Sequence, residues 1–370
     1  MNDGLAGRVA GARTFIHIDL HKDQLTFCAV DADGAEVGVG RLPTKCRNRI
    51  VEWIKGWPRP VWVSIEAVGF YRWLWVLLEP HADRLLLADA ARLRRMGERD
   101  VKTDFRDARH GARLLRLGVL PCNHALGEPL YALRQQLRHR HDLARRLASL
   151  KNSLRRLCLR ANLPGPRALS GARAVAYAHA YGTRLHAMDQ QRWLDLTDQI
   201  LLLERQVDAC ERALTRHVAA LPGIHEHLRR SMTAPGIGLL VAATVFTETG
   251  GLERFQEAEE IACFSGLTPR TYASAGHVRH GHISKAGPPN LRWALQQAAW
   301  VAIRTDPGVR RLYQRLARRA GSKRAAVAIA RRLLIWLWAM HRHHHDWDPR
   351  RLSGPGPARE RSQTQVTCVP

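Results

Sequence analysis

Along the first hundred or so residues the apolar positions come in short runs, each closed by a turn or an acid. Thr14-Phe15-Ile16-His17-Ile18-Asp19 reads as a strand ending on a carboxylate, Leu25 to Val30 as a second strand and Glu36 to Leu42 as a third. Asp31-Ala32-Asp33-Gly34 supplies the turn between the last two, with a glycine that tolerates positive φ. A helical stretch over Arg47 to Lys55 is stopped by Pro58 and Pro60. Val61 to Ile65 then forms a fourth strand, which closes on Glu66. A helix near residues 70–80, a strand over Arg84 to Ala88 and further helix to about residue 118 complete this first unit.

Beyond residue 130 the periodicity lengthens. Leu143, Leu147, Leu150, Leu154, Leu157 and Ala161 recur at alternating steps of four and three, and so do Leu196, Ile200, Leu203, Val207, Cys210 and Leu214. That is the spacing of a coiled-coil seam. Pro164-Gly165-Pro166 breaks the first helix, which predicts an antiparallel coiled-coil hairpin over residues 130–222. Residues 228–345 read as a mostly helical domain opening on Ala234-Pro235-Gly236-Ile237-Gly238. This resembles a helix-hairpin-helix turn, in which backbone amides around Gly236 and Gly238 meet a phosphate at a helix N-terminus; many plain interhelical turns look alike. Residues 1–12 form a Gly/Ala/Arg leader and residues 346–370 a tail without expected order, leaving 13–122 for the strand-rich domain.

Charge changes the picture most. Fifty-eight Lys and Arg against 33 Asp and Glu leave a formal charge of +25, which a polyanion such as nucleic acid would neutralise. The cations concentrate on the first arm of the hairpin: Arg134, Arg138, Arg140, Arg145, Arg146, Lys151, Arg155, Arg156 and Arg160, with Asp142 the one acid among them. With only Asp142 at helical spacing to offset them, Arg138, Arg145, Arg146, Lys151, Arg155 and Arg156 are candidates for phosphate contacts. A solvated helix face is the plain alternative, and dimerisation through the seam is compatible with either.

The seven cysteines form no CxxC pair and read as reduced thiols of a cytoplasmic protein. The N-terminus lacks the apolar core of a signal peptide, and the apolar stretch Ala325 to Met340 is interrupted by Arg331 and Arg332, so no membrane association is expected. His341-Arg342-His343-His344-His345-Asp346 reads as a basic helix end rather than a transition-metal site. No Walker-type phosphate loop occurs, so ATP is not indicated.

Three meandering strands followed by alternating helices and strands is the element order of a ribonuclease H-like domain, giving an α/β unit ahead of a mostly helical remainder. In that fold one acid sits on the first strand and another at the end of the fourth, where Asp19 and Glu66 stand. In Lys102-Thr103-Asp104-Phe105-Arg106-Asp107-Ala108, the i,i+3 spacing puts Asp104 and Asp107 on one helical face. Like charges so close make sense around a cation, or at a helix N-terminus, where capping is the structural alternative for Asp104. Phosphodiester chemistry needs hard divalent cations, Mg²⁺ or Mn²⁺, and these need clustered carboxylates.

Together these residues resemble the IS110/IS1111 transposases of bacterial insertion sequences, whose Asp-Glu-Asp-Asp domain is similar to RuvC-type junction resolvases. The matching segments are Ile18-Asp19-Leu20-His21-Lys22, Glu66-Ala67-Val68-Gly69 and the Asp104/Asp107 helix. In the C-terminal half they are Gly250 to Phe255, Cys263 to Arg270 and Gly281 to Gly287. The resemblance implies cutting and rejoining of double-stranded donor and target DNA at a RuvC-like site. It implies a serine nucleophile from the C-terminal domain, at Ser274 in Tyr272-Ala273-Ser274-Ala275-Gly276. Ser284 is the competing hydroxyl, in a loop where Lys285 and Arg292 could cradle a phosphate. It further implies a structured noncoding RNA as guide and assembly into a homo-oligomer, a dimer or tetramer. The rival readings are a RuvC-like junction resolvase or DNA invertase, and a non-catalytic basic nucleic-acid-binding protein whose acids are caps and surface charge.

Overall fold

A computed structural model of the protein describes residues 11–96, 103–165, 169–274 and 277–350. Most of the leader and tail, Lys102 and Pro166 therefore lie outside the described residues. The chain forms two compact units, residues 1–125 and 126–370.

The first unit is built on a six-stranded sheet. Its strands are β1 (Thr14–Leu20), β2 (Gln24–Asp31), β3 (Glu36–Pro43), β4 (Val61–Glu66), β5 (Arg84–Ala88) and β6 (Cys122–Asn123), in the order β3-β2-β1-β4-β5-β6. β1, β2 and β3 form an antiparallel meander, while β4 runs parallel to β1 and β5 parallel to β4. This mixed sheet is the arrangement expected of a ribonuclease H-like domain. Every residue of β1 is buried, because helices cover both faces of this central strand. Ile16, Ile18 and Leu20 join Val61, Val63 and Ile65 in a core under α1 (Arg47–Lys55) and α2 (Arg72–Leu78). Phe15, Cys28 and Trp62 point the other way, toward α3 (Ala90–Met96) and α4 (Asp104–Arg116). Strand alternation therefore sends the odd positions of β1 and the even positions of β4 to the α4 face. Asp19 and Glu66 share that face.

In the second unit α5 (Glu128–Arg160) and α7 (Ala187–Ala219) are 33 residues each. Ion pairs Arg140–Glu211, Lys151–Glu204 and Arg160–Asp189 step up one helix and down the other, so the two run antiparallel. The connection differs from a simple hairpin break at the Pro-Gly-Pro. α5 ends at Arg160, and α6 (Gly171–Tyr181) is inserted before α7. Tyr177 stacks at 4.7 Å on Trp193, and Gly171 leaves no room for a β-carbon, which would lie 2.2 Å from Leu201. Burying an aromatic cluster at the far end of the arms gives this insertion its own small core with Leu154, Leu157 and Ile200.

The near end of the arms enters a larger core with α8 (Pro222–Met232), α9 (Leu239–Thr249), α10 (Ala258–Ser265), α11 (Pro289–Thr305), α12 (Pro307–Ala320) and α13 (Ser322–Arg342). Strands β7 (Pro269–Ser274) and β8 (His277–Ile283) pair antiparallel between α10 and α11. Gly236 of the Pro-Gly-Ile-Gly turn has φ +79°, and a β-carbon there would lie 2.3 Å from the Ala298 carbonyl oxygen of α11. Close packing against α11 thus accounts for this glycine, independently of any phosphate. Among the described residues, no helix is long and apolar enough to cross a membrane.

Candidate metal-carboxylate site

Asp19 lies near the end of β1, 6% exposed, with Thr26 of β2 as its cross-strand neighbour and Arg41 of β3 beyond Thr26. On the other side β4 delivers Glu66, half-buried, on the same face. The two carboxyls are close enough to act on each other directly. Burial first, then the direct effect of Asp19 and its charge, and more weakly the charge of Asp107, push Glu66 up to about 7.

Helix α4 supplies the other two acids. Its N-cap is Thr103, whose Oγ1 accepts from the Arg106 amide at 3.3 Å. Asp104 is thereby not the cap, and its side chain turns to the sheet. Asp104 Oδ1 lies 3.5 Å from His21 Nε2, which is 3.0 Å from Asp19 Oδ2. Asp104 Oδ2 meets Arg41 Nη2 at 3.2 Å. Asp107, one turn on, acts on Glu66 through its charge. The helix can lie this close to β1 because of Gly111: a β-carbon there would fall 2.2 Å from the His17 ring. His17 is buried, its Nδ1 is 2.8 Å from Ser64 Oγ, and desolvation holds it neutral with a pKa lowered to about 4.

All four acids named from the sequence are thus brought to one face of one unit. Two further residues belong to the cluster. His21 was legible in principle, since it stands two residues after Asp19 and so on the same side of the strand. Arg41 carried no local signal, because its place follows only from the β1-β2-β3 register. The donor set fits a hard divalent cation: carboxylate oxygens predominate, and Thr26 Oγ1 beside them is buried without a hydrogen-bond partner.

The C-terminal candidates are more scattered in role. Ser274 is the last residue of β7, paired with His277 at the hairpin tip; its side chain lies outside the described residues. The Ser284 amide donates to the Thr268 carbonyl at 2.8 Å, and its hydroxyl accepts from the Ala286 amide at 3.5 Å, an ordinary turn-holding role. Lys285 is exposed with φ 55°. Arg292 donates to the Ser265 carbonyl at 3.4 Å and to the Gly287 carbonyl, so it ties down the loop from within. Gly238 is exposed at the start of α9.

The basic arm is less free of acids than its own sequence suggests, because partners arrive from other helices. Arg138 makes two 2.7 Å bonds to Glu248 of α9, and Lys151 pairs with Glu204 at 2.7 Å. Arg145 meets Asp142 at 2.9 Å, Arg155 bonds Asn152 and Arg156 bonds Ser153. Arg145, Arg146, Arg155 and Arg156 remain exposed.

A transposase family model for DEDD enzymes of the IS110 type matches residues 16–162, spanning all four acids. The transposase family model IS116/IS110/IS902 matches residues 228–314, spanning Ser274. The transposase for insertion sequence element IS1328 of Yersinia enterocolitica is 34% identical over 96 residues, 26% of this chain and 28% of its own length. The transposase for insertion sequence element IS1111A of Coxiella burnetii is 32% identical over 124 residues, 32% of this chain and 34% of its own length. The protein y4qE of Sinorhizobium fredii is 28% identical over 230 residues, 60% of this chain and 53% of its own length. The matched segments thus span at most about half of these relatives. With two models of one family falling in order along the chain, and these relatives behind them, the chain belongs to the IS110 family of transposases.

Proposed function

We propose that this protein is an insertion-sequence transposase that cuts and rejoins double-stranded DNA at the Asp19–Glu66–Asp104–Asp107 site with Mg²⁺ or Mn²⁺. The observation that carries the reading is that β1 and β4 present Asp19 and Glu66 on one face, where Asp104 of α4 shares His21 with Asp19. Four acids gathered on one face of a chain with charge +25 make little sense as caps or surface charge. Divalent cations bound there supply charge stabilisation for the phosphoryl group and for the attacking and leaving oxygens. The strands fix Asp19 and Glu66 rigidly, α4 sets Asp104 and Asp107 opposite them, and Arg41 and His21 orient Asp104.

Ser274 is the nucleophile of this reading, on the strength of the family resemblance. Its oxygen bonds to phosphorus, its proton is lost, and one bridging P–O bond breaks to leave a sugar hydroxyl. The serine ester keeps the phosphodiester's energy, so a second sugar hydroxyl can rejoin the strand and release the serine. A structured noncoding RNA as guide and a dimeric or tetrameric assembly belong to the same reading. The excess positive charge supports an RNA partner without specifying one.

The test is strand cleavage on donor DNA with Asp19→Asn, Glu66→Gln and Asp104→Asn, alongside DNA retention on a gel. Cleavage should vanish while binding persists. Ser274→Ala should in addition abolish the covalent protein–DNA adduct, and Ser284→Ala should not. Cleavage that survives Asp19→Asn overturns the enzymatic reading; cleavage without any adduct points to a water-using junction resolvase.

A further inference from the structure

A second group of ligating atoms lies in the C-terminal unit, within residues 126–370, and none of its residues belongs to the carboxylate site. His227 of α8, Glu253 in the turn after α9 and His341 at the end of α13 bring one atom each to a common point. The three separations are 2.9 Å from His227 Nδ1 to Glu253 Oε1, 3.4 Å from His341 Nδ1 to Glu253 Oε1, and 3.3 Å between the two Nδ1 atoms. Imidazole and carboxylate ligands of a tetrahedral Zn²⁺, at bond lengths near 2.0–2.1 Å, stand about 3.3 Å apart. The triangle therefore has the size of one face of such a coordination sphere.

Its surroundings point the same way. His341 is 1% exposed, and its Nε2 is held by Ser231 Oγ at 2.8 Å, so Nδ1 is the nitrogen turned to Glu253 and His227. A second hydrogen bond on the far ring nitrogen is the usual support for a metal-bound histidine. The His341 tautomer that donates Nε2–H to Ser231 Oγ leaves the Nδ1 lone pair facing Glu253 and open to a cation, whereas the other tautomer donates Nδ1–H to Glu253. His227 and Glu253 are 35% and 41% exposed, which leaves an approach from solvent and a fourth position open to water. The histidine run at the end of α13 thus differs from a plain basic helix end: its first member is buried and aimed inward.

We propose that His227, Glu253 and His341 bind a first-row divalent cation, best matched to Zn²⁺, that pins α8, the turn after α9 and the end of α13 together. The site is separate from the carboxylate cluster, and hard Mg²⁺ is a poor match for its two imidazoles. Its stabilising effect should follow ligand occupancy, since a cation bound only by the folded chain raises stability by mass action.

The experiment uses the full chain, stripped with chelator and titrated with Co²⁺ as a coloured substitute for Zn²⁺. Wild type should show one intense tetrahedral visible band per chain, discharged by Zn²⁺. The double variant His227→Gln/Glu253→Gln should lose the band, and Asp19→Asn/Glu66→Gln should keep it. Ser231→Ala should weaken Zn²⁺ binding about 10–100-fold. Because the double variant could fail to fold, the single variant Glu253→Gln is scored by thermal melting with and without Zn²⁺. Zn²⁺ should raise the midpoint of wild type and leave that of Glu253→Gln unmoved. A folded wild type that gives no band, a band that persists in His227→Gln/Glu253→Gln, or an equal Zn²⁺ shift in Glu253→Gln overturns the proposal, leaving a proton between the imidazoles and the carboxylate instead.

Discussion

Gly111 and His17 are in a contact that only a glycine permits: the imidazole occupies the space where a β-carbon would stand, 2.2 Å away. His17 cannot yield easily, being buried on a central strand and tied to Ser64. A mid-helix glycine costs about 1 kcal/mol of helix propensity relative to alanine. Here that cost is the condition for α4 to lie against β1, and so for Asp104 and Asp107 to reach Asp19 and Glu66.

Replacing this glycine should therefore harm both fold and site. Gly111→Val adds bulk to a packed contact, at about 1–3 kcal/mol for overpacking, and lifts α4 from the sheet. Urea unfolding should show the loss, and Mg²⁺-dependent cleavage should fall more than DNA binding does. Gly111→Val with unchanged unfolding midpoint and unchanged cleavage would show that α4 is not seated through this contact.

Glu66 makes the metal-free protein sensitive to pH in a definite direction. Its ordinary value is 4.5, and in the folded chain it is raised to about 7, by burial first and by Asp19 next. Below pH 4.5 both folded and unfolded chains hold the proton, and Glu66 contributes nothing. Between pH 4.5 and about 7 the unfolded chain releases the proton while the folded one keeps it, so stability declines as pH rises. Above about 7 the full penalty of a charged Glu66, half-buried and beside Asp19, is present. Glu66→Gln removes this titration. The melting difference between Glu66→Gln and wild type, without divalent ions, should widen in favour of the variant from pH 4.5 to above 7. Added Mg²⁺ should raise wild type more than the variant at the upper end, because cation and proton compete for the same oxygens. A pH-independent difference between the two proteins would mean that the folded chain leaves Glu66 at its ordinary value.

Much of the first unit could be read from the chain because a half-buried strand advertises itself by period and length. The strand expectations for Thr14–Asp19, Val61–Glu66 and Arg84–Ala88 agree with β1, β4 and β5 to within a residue or so. With those elements in order, placing Asp19 and Glu66 side by side needed only the pleat. Asp104 and Asp107 were readable as a pair on one helix face, but the cap that frees Asp104 belongs to the preceding threonine. Contacts across long sequence distances were another matter. The partners of Arg138 and Lys151 sit on α9 and α7, 110 and 53 residues away, and no local window holds them. His341 looked like part of a basic run because its neighbours do lie at a helix end, whereas its burial depends on α8 packing beside it.

The same long-range pairing separates two arginines that look alike in sequence. Arg138 grips Glu248, whose side chain is 2% exposed, whereas Arg146 is exposed to solvent. Arg138→Ala would leave a buried carboxylate without its counter-charge, a loss of about 3–5 kcal/mol. Arg146→Ala should change stability by less than about 0.5 kcal/mol, as surface substitutions do. Binding should divide them in the opposite sense. If Arg146 neutralises a phosphate, its loss lowers the slope of log affinity against log salt by about 0.9 for duplex DNA, or about 0.7 for a single strand. Arg138, already neutralised by Glu248, should leave that slope unchanged once the comparison is made where the variant is folded. Urea unfolding and binding isotherms at several salt concentrations provide both readouts. A reduced salt slope for Arg138→Ala with unaltered stability would place that guanidinium on nucleic acid rather than on Glu248.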